Sequence, residues 1–510
     1  MLKDKNLLRT DSYIHGKWVK GKKTFPVKNP FDGKKVADVS EIDGKTAAKA
    51  IEEAHRAFEV WKNVSAKERG ALLKKWDALM NEHWEDLATL LTLEQGKPYE
   101  QSTHELMGNN GFFNWHAEEA RRATGLTMTS PDPNRRFMIW KQPVGVVAVV
   151  TPWNFPSVLP IQKCAPALAA GCTVVMKPAE DTPLSALALA ELADRAGIPP
   201  GVFNVLTCND PTEVGYELTH HPLVRKFTFT GSTEVGKSLY SACGNTIKNV
   251  TMELGGNCPA VIFEDADIDK AVDGTFWFKF YNAGQCCNNI NRFLVHKSVH
   301  DRFVEKFKKR IEENIILGNG LDKKTNVGPL INEAAIAKCE ELVDDALSKG
   351  ATAVTGGARS TVGKLFYEPT LLIDMDPKMR MYREEVFGPV APIYTFSTEE
   401  EAIQMANDTN YGLSASLWTQ DLNRAHRVSA ALDCGMVWVN TWLQRDLRTP
   451  FGGFKASGIG REGGSHSLEF FSETQNITIA LAPSLAQTPQ AALASFGRTA
   501  QTAPKHSPST

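Results

Sequence analysis

From residue 144 the chain settles into a repeating texture. Short apolar runs, VGVVAVV, CTVVMK, VFNVLT, KFTFT and NVTMEL, are separated by helix-like segments such as PLSALALAELADRAG. An apolar run of that length suits a strand covered on both faces, and its alternation with helical spacers predicts a parallel, doubly wound α/β sheet. Such a sheet binds a nucleotide at the carboxyl ends of its strands. A second α/β region is expected from about 254 to 455, with strands at RFLVH and PTLLI and helices around 300–315 and 333–349. Upstream, residues 45–100 read as helices, because Ile51, Ala54, Phe58 and Trp61 fall on one stripe.

Composition narrows the function classes. A chain of 510 residues, 42% hydrophobic and 23% charged, has room for two to four ordinary globular domains. A net charge of −2 without a basic cluster leaves neither nucleic acid nor an anionic membrane as an implied partner. The start, MLKDKNLLRTDSY, lacks the apolar core of a secretory signal, so the expected setting is cytoplasmic. The charge-free run Gln142–Gln162 is long enough to span a membrane, but Pro143, Pro152, Pro156 and Pro160 interrupt it. It reads as a buried strand followed by a loop. Nine cysteines without metal-ligand spacing suggest reduced thiols and no metal site. Cys164, Cys172 and Cys434 read as small buried hydrophobes, whereas the adjacent Cys286 and Cys287 need separate treatment.

One motif points to a different chemistry. GSTEVGKS at 231–238 fits the phosphate-loop pattern, KFTFT before it reads as a strand, and AVIFED at 260–265 ends in Glu264 and Asp265. A nucleotide hydrolase using Lys237, Ser238 and Asp265 is therefore one reading. The pattern fixes only four positions, and in a chain with 38 glycines a chance match arises in roughly a few per cent of cases. It is expected to be a decoy.

Seven stretches carry more weight together: TPWNFP (151–156), KPAED (177–181), FTGSTEVGK (229–237), MELGGN (252–257), FYNAGQCCNN (280–289), EEVFGPV (384–390) and PFGGFKASGIGRE (450–462). In this order and spacing the chain resembles the aldehyde dehydrogenase superfamily from about residue 12 to 480. The resemblance implies a cofactor domain from 1–127 and 148–253, a catalytic domain from 254–455, and strands at 128–147 and 470–482 that join subunits into dimers or tetramers. The tail at 483–510, rich in Ala, Ser, Thr, Pro and Gln, reads as disordered.

The same resemblance implies a mechanism. Cys287 attacks the aldehyde, and Asn154 and the Cys287 backbone N–H stabilise the oxyanion. Hydride passes to a nicotinamide, and water activated by Glu253 hydrolyses the resulting thioester. The pattern Gly-Gln-Xaa-Cys assigns the nucleophile to Cys287, leaving Cys286 to line the pocket or to link reversibly to its neighbour under oxidation. Lys177 and Glu180 resemble the pair at the adenosine ribose, where a carboxylate favours NAD⁺, while Lys177 leaves NADP⁺ open. By resemblance Gly231 and Ser232 approach the pyrophosphate, Glu385 the nicotinamide ribose and Phe387 the ring. Thr151, Trp153, Gly236 and Leu254 complete the cofactor site.

The substrate is less defined. Outside the site the chain looks closest to succinate-semialdehyde dehydrogenases, yet Gln162 and Tyr281 stand where that branch places arginines. The loop NTWLQRDLRTPFGG (440–453) is similar instead to muconic-semialdehyde dehydrogenases, with Arg445 among the pocket positions. Arg445 either binds an acid group or, with Arg448, pairs with Asp446 as scaffold. Phe155, Asn288, Trp442 and Phe451 are also expected at the pocket. A semialdehyde and a bulky or aromatic aldehyde both remain open.

Overall fold

The computed structural model describes residues 2–481 except 110, 133 and 465. The expected disordered tail at 483–510, and residue 482 of the expected arm, lie outside the described residues.

Four helices, Gly44–Trp61, Ala66–Glu82, Trp84–Gln95 and Tyr99–Asn109, occupy the stretch read as helical. Their starts are written locally. Asp43 accepts a hydrogen bond from the Thr46 N–H, and Ser65 and Glu68 form a capping box, each worth about 1 kcal/mol. The second helix buries Leu73 and Trp76, with Trp76 stacked on Phe113 at 4.5 Å.

The alternating apolar runs form the centre of an eight-stranded sheet. Its parallel strands lie in the order Asn249–Glu253, Val224–Thr230, Val146–Val150, Thr173–Lys177, Phe203–Val205. The first strand in sequence thus sits in the middle. The chain winds outward to one side, then returns to wind to the other, so the strand order reverses between Val146–Val150 and Val224–Thr230. Ser12–Ile14 joins one edge antiparallel, and Gly458–Ile459 joins the other beside Glu253.

A seven-stranded sheet follows, in the order Thr352–Thr355, Thr370–Ile373, Val390–Phe396, Ile290–His296, Cys258–Ile262, Ser414–Trp418, Met436–Val439, and only its first strand is antiparallel. Helices His300–Asn314 and Glu333–Ser348 lie where helical spacing predicts them. A third, three-stranded antiparallel sheet stands apart. Arg135–Pro143 is its middle strand, flanked by Leu126–Thr129 and Ser472–Ala480, and Leu126, Met128, Trp140 and Ile479 are exposed on it.

Two expectations need correction. The loop after Val150 is shorter than predicted, because a helix starts at Val158 and runs to Ala170 through Pro160 and Pro166. Pro160 lies in the first turn, where its missing N–H has no helical partner to lose, and the helix is buried nearly all round, which erases the periodicity that would have revealed it. Cys434 is only half-buried, its thiol donating to the Met436 carbonyl at 3.3 Å. No described helix is long and apolar enough to cross a membrane.

Candidate active site

At the reversal of strand order the two central strands release their carboxyl ends side by side. Thr151 to Asn154 leave one. Gly231 and Ser232 leave the other and lead into helix Thr233–Cys243, whose cap is Ser232, accepting from the Val235 N–H at 3.3 Å. A cavity of about 340 Å³ opens there, lined by Trp153, Asn154, Gly231, Ser232, Glu385, Phe387 and Cys287. Phe387 meets Trp153 edge to face at 5.6 Å and holds a φ of 56°, a costly conformation for a bulky residue. Glu385 accepts from the Gly256 N–H at 2.9 Å, and burial pushes its carboxyl up to about 7. A helix N-terminus, backbone N–H groups and a carboxylate around one cleft fit the phosphates and ribose of a dinucleotide.

The other cofactor candidates do not line this cavity. Thr151 is buried behind it, its N–H bonded to the Lys177 carbonyl at 3.3 Å, and Gly236 lets its helix close on Leu254, whose side chain lies 2.4 Å from where a Cβ would stand. Lys177 and Glu180 pair at 3.0 Å beyond the end of strand Thr173–Lys177. Conversely, Asn332 and Lys338, at the start and within helix Glu333–Ser348, do line the cavity. Their segment reads only as a helix, and nothing in it marks a binding face.

Cys287 follows a tight turn in which Asn282 and Ala283 adopt φ of 49° and 53°. Its carbonyl lies 2.4 Å from the site of a Cβ on Gly256, so only glycine fits there. The Asn154 side-chain N–H donates to the Gln285 carbonyl at 3.0 Å, which ties the turn after Val150 to the cysteine loop. Burial, the neighbouring Cys286 and the carboxylates of Glu385 and Glu253 all push the Cys287 thiol upward. Cys286 is more deeply buried, with its thiol toward the Tyr281 carbonyl at 3.8 Å.

Glu253 ends its strand fully surrounded by protein, and its Oε2 has no hydrogen-bond partner among the described residues. Gly452, at φ 151°, makes room for it, since a Cβ there would fall 2.9 Å from Glu253 Oε1. Burial and Glu462 raise this carboxyl well above the ordinary range, opposed by Lys163, Arg461 and Arg445. Lys163 and Glu462 form a buried ion pair beside it. Glu462 closes the motif PFGGFKASGIGRE, whereas no sequence signal separates Lys163 from a surface charge.

A second cavity of about 530 Å³ also reaches Cys287. Phe155, Tyr281, Trp442 and Phe451 line it, with Phe155 and Tyr281 stacked at 6.2 Å, and Gln162, Cys286, Asn288, Arg445 and Glu105 are among its polar groups. His104, Asp273 and Trp277, not anticipated from the sequence, also line it. Arg445 donates to Gln162 Oε1, lies over Phe451 at 5.4 Å and Phe112 at 5.1 Å, and has no carboxylate partner among the described residues. Arg445 is exposed, and part of its surface lines the cavity. Arg448 makes the expected pair with Asp446 at 2.6 Å, and Arg445 does not share it.

The phosphate-loop reading finds no assembled site. Lys237 and Ser238 face solvent on their helix. Asp265, at the end of a strand in the other sheet, is bound to Arg424 at 2.8 Å and to the N–H groups of Gln420 and Asp421.

Of the described residues, Cys287 alone lines both cavities. A thiol reached from a nucleotide cleft and from an apolar channel is the arrangement of a dehydrogenase that captures its substrate on sulfur. The model of the aldehyde dehydrogenase family matches residues 18–477, and the chain belongs to that family, whose members oxidise aldehydes to acids with NAD(P). Similar proteins include 3-sulfolactaldehyde dehydrogenase of Pseudomonas putida, 47% identical over 94% of this chain and 98% of that protein. An NADP-dependent succinate-semialdehyde dehydrogenase of Escherichia coli is 46% identical over 94% of this chain and 100% of its own. The crystal structure of succinate-semialdehyde dehydrogenase from Burkholderia pseudomallei superposes with a TM-score of 0.93 at 44% identity, covering 94% of this chain and 100% of that one.

Proposed function

We propose that the protein oxidises a semialdehyde, an aldehyde bearing a distal acid group, to the corresponding acid. Cys287 adds to the carbonyl carbon as thiolate, and the oxyanion lies between the Asn154 amide and the Cys287 N–H. The dinucleotide supplies the hydride acceptor. The thioester left on Cys287 is then hydrolysed by a water that gives its proton to Glu253, which releases the acid and restores the thiolate. The observation that carries this reading is the position of Cys287 on both cavities.

The residues around the first cavity divide the dinucleotide between them. Gly231 and Ser232 meet the pyrophosphate, Glu385 the nicotinamide ribose, and Phe387 and Trp153 the ring. Glu180 beside Lys177 favours NAD⁺ over NADP⁺, because its carboxylate repels a 2′-phosphate. The first sheet with its helices serves as the cofactor domain and the second as the catalytic domain. The exposed three-stranded arm joins copies of the chain into a dimer or tetramer, supported by its open edges and apolar side chains. A cytoplasmic setting belongs to the same reading, supported by nine free thiols.

For the acid group, Arg445 is the support. It is a guanidinium open to the aldehyde cavity and without a carboxylate of its own. Succinate semialdehyde and 3-sulfolactaldehyde, named for the similar proteins, both pair an aldehyde with one acid group. The volume and aromatic walls of the cavity favour a longer or unsaturated chain over a four-carbon one. NADH formation from succinate semialdehyde, butanal and benzaldehyde tests this reading. The acid should lead butanal in kcat/KM, and Arg445→Met should cost it about 10- to 100-fold while leaving butanal within about threefold. Preference for butanal or benzaldehyde, unchanged in Arg445→Met, would overturn the acid-binding role.

A further inference from the structure

Beneath the Asn154 turn lies an ion pair that the reaction as described does not use. Lys97 and Glu105 meet at 2.7 Å with no solvent contact for either side chain. Apolar residues of the same volume are commonly as stable as a buried pair or more so, so stability alone does not account for it. What the pair touches is more informative. Lys97 Nζ donates to the Asn154 carbonyl at 2.7 Å and lies 4.0 Å over the Phe155 ring. Glu105 Oε1 accepts from the N–H groups of Ser157 and Val158 at 2.9 and 3.0 Å, at the start of helix Val158–Ala170. The two charges therefore hold the turn Asn154–Val158 at both ends.

The contacts continue to the cysteine loop. Asn282 Nδ2 donates to the same Asn154 carbonyl at 3.0 Å, and Asn282 Oδ1 accepts from Gln95 Nε2 at 3.0 Å. Gln95 Oε1 in turn accepts from the Lys97 N–H at 2.9 Å. Gln285, two residues before the thiol, binds the Asn282 carbonyl through Nε2 at 3.0 Å, and its own carbonyl orients the Asn154 amide. One amide hydrogen of Asn154 is committed to Gln285, which leaves the second for an oxyanion.

Resting on the role proposed above for Asn154, we infer that Lys97, fixed by Glu105, is a positioning residue for the oxyanion site. It sets the Asn154 amide against the Cys287 loop, and so the distance between the two donors. A misplacement of about 1 Å at such a site can cost about 100-fold in rate, so the pair acts on turnover and not on dinucleotide binding.

A double-mutant cycle tests this, with Lys97→Met, Asn154→Ala and the combination. Turnover is measured with NAD⁺ and whichever of succinate semialdehyde or butanal the wild type oxidises faster, and is normalised to alkylatable Cys287. Asn154→Ala should lower kcat about 100- to 1,000-fold. Lys97→Met should lower it about 10- to 100-fold with the Kd for NAD⁺ within about threefold, and should cost little more once Asn154 is gone. Should Lys97→Met not fold, Lys97→Met with Glu105→Gln removes both charges while the Gln oxygen still accepts from Ser157 and Val158. Equal losses in the two backgrounds, or unchanged kcat with only a lowered Tm, would make Lys97 purely structural and overturn the inference. An inactive wild type, or an Asn154→Ala enzyme of full activity, would remove the reading on which it rests.

Discussion

The carboxyl of Glu385 faces the cofactor cleft with its proton loss near neutrality, so the fraction able to accept hydrogen bonds from a ribose changes across the working range. Its raised value means the charged form prevails above about pH 7 and is lost below it. Affinity for NAD⁺, followed by fluorescence titration, should be full at about pH 8 and weaken by up to about tenfold at about pH 6, with Glu385→Gln showing a flat and weaker profile. The Glu253 carboxyl gives a second pH signature. In the proposed role of base it works only when ionised, and burial and Glu462 both raise its value. Glu462→Gln removes that repulsion and leaves Lys163 to stabilise the carboxylate. The acid limb of kcat should therefore move to lower pH. A limb that stays or moves up would show that the two carboxyls are not coupled. Asn154, Glu253 and Cys287 stood out in the sequence because short motifs surround them. Lys163 and the Lys97–Glu105 pair did not, since burial turns an ordinary charged residue into a working one and burial has no local signature.

Elements meet so closely at this site that glycine is a structural requirement at the crossings. Gly452 lets the loop after Arg448 pass over Glu253, at a φ that L residues avoid and with no space for a Cβ. Gly452→Ala should lower kcat by about tenfold or more by shifting the Glu253 carboxyl, while a dinucleotide titration stays unchanged. Loss of dinucleotide binding instead would place the damage in the first sheet. At this scale the alternating apolar runs were readable because each strand is covered on both faces and bounded by polar turns. Helix Val158–Ala170 was not, because it is apolar on every side and carries prolines that usually end helices. The strands of the three-stranded arm span 126–129, 135–143 and 472–480, and they carry no buried face to mark their ends.

Across the whole molecule the chain leaves the first sheet, builds the second, and returns to place Gly458–Ile459 beside Glu253. That return brings Gly452 and Glu462 beside the Glu253 carboxyl from about 200 residues further along the chain, a closure that motif order alone did not reveal. The arm tests the assembly. Trp140→Glu with Ile479→Asp puts charge on its open face, and light scattering after gel filtration should show the mass falling toward 56.1 kDa. An unchanged mass would move the subunit interface elsewhere.

The placement of the thiol in the wall between two cavities also governs traffic. On the proposed division each reactant has its own cavity, so neither has to leave before the other can enter. A dead-end analogue lodged in the aldehyde channel should lower the maximal rate with respect to NAD⁺ without raising its KM, and an adenine nucleotide in the cleft should do the same for the aldehyde. Competition across the two cavities in steady-state inhibition would mean that the wall moves during the cycle.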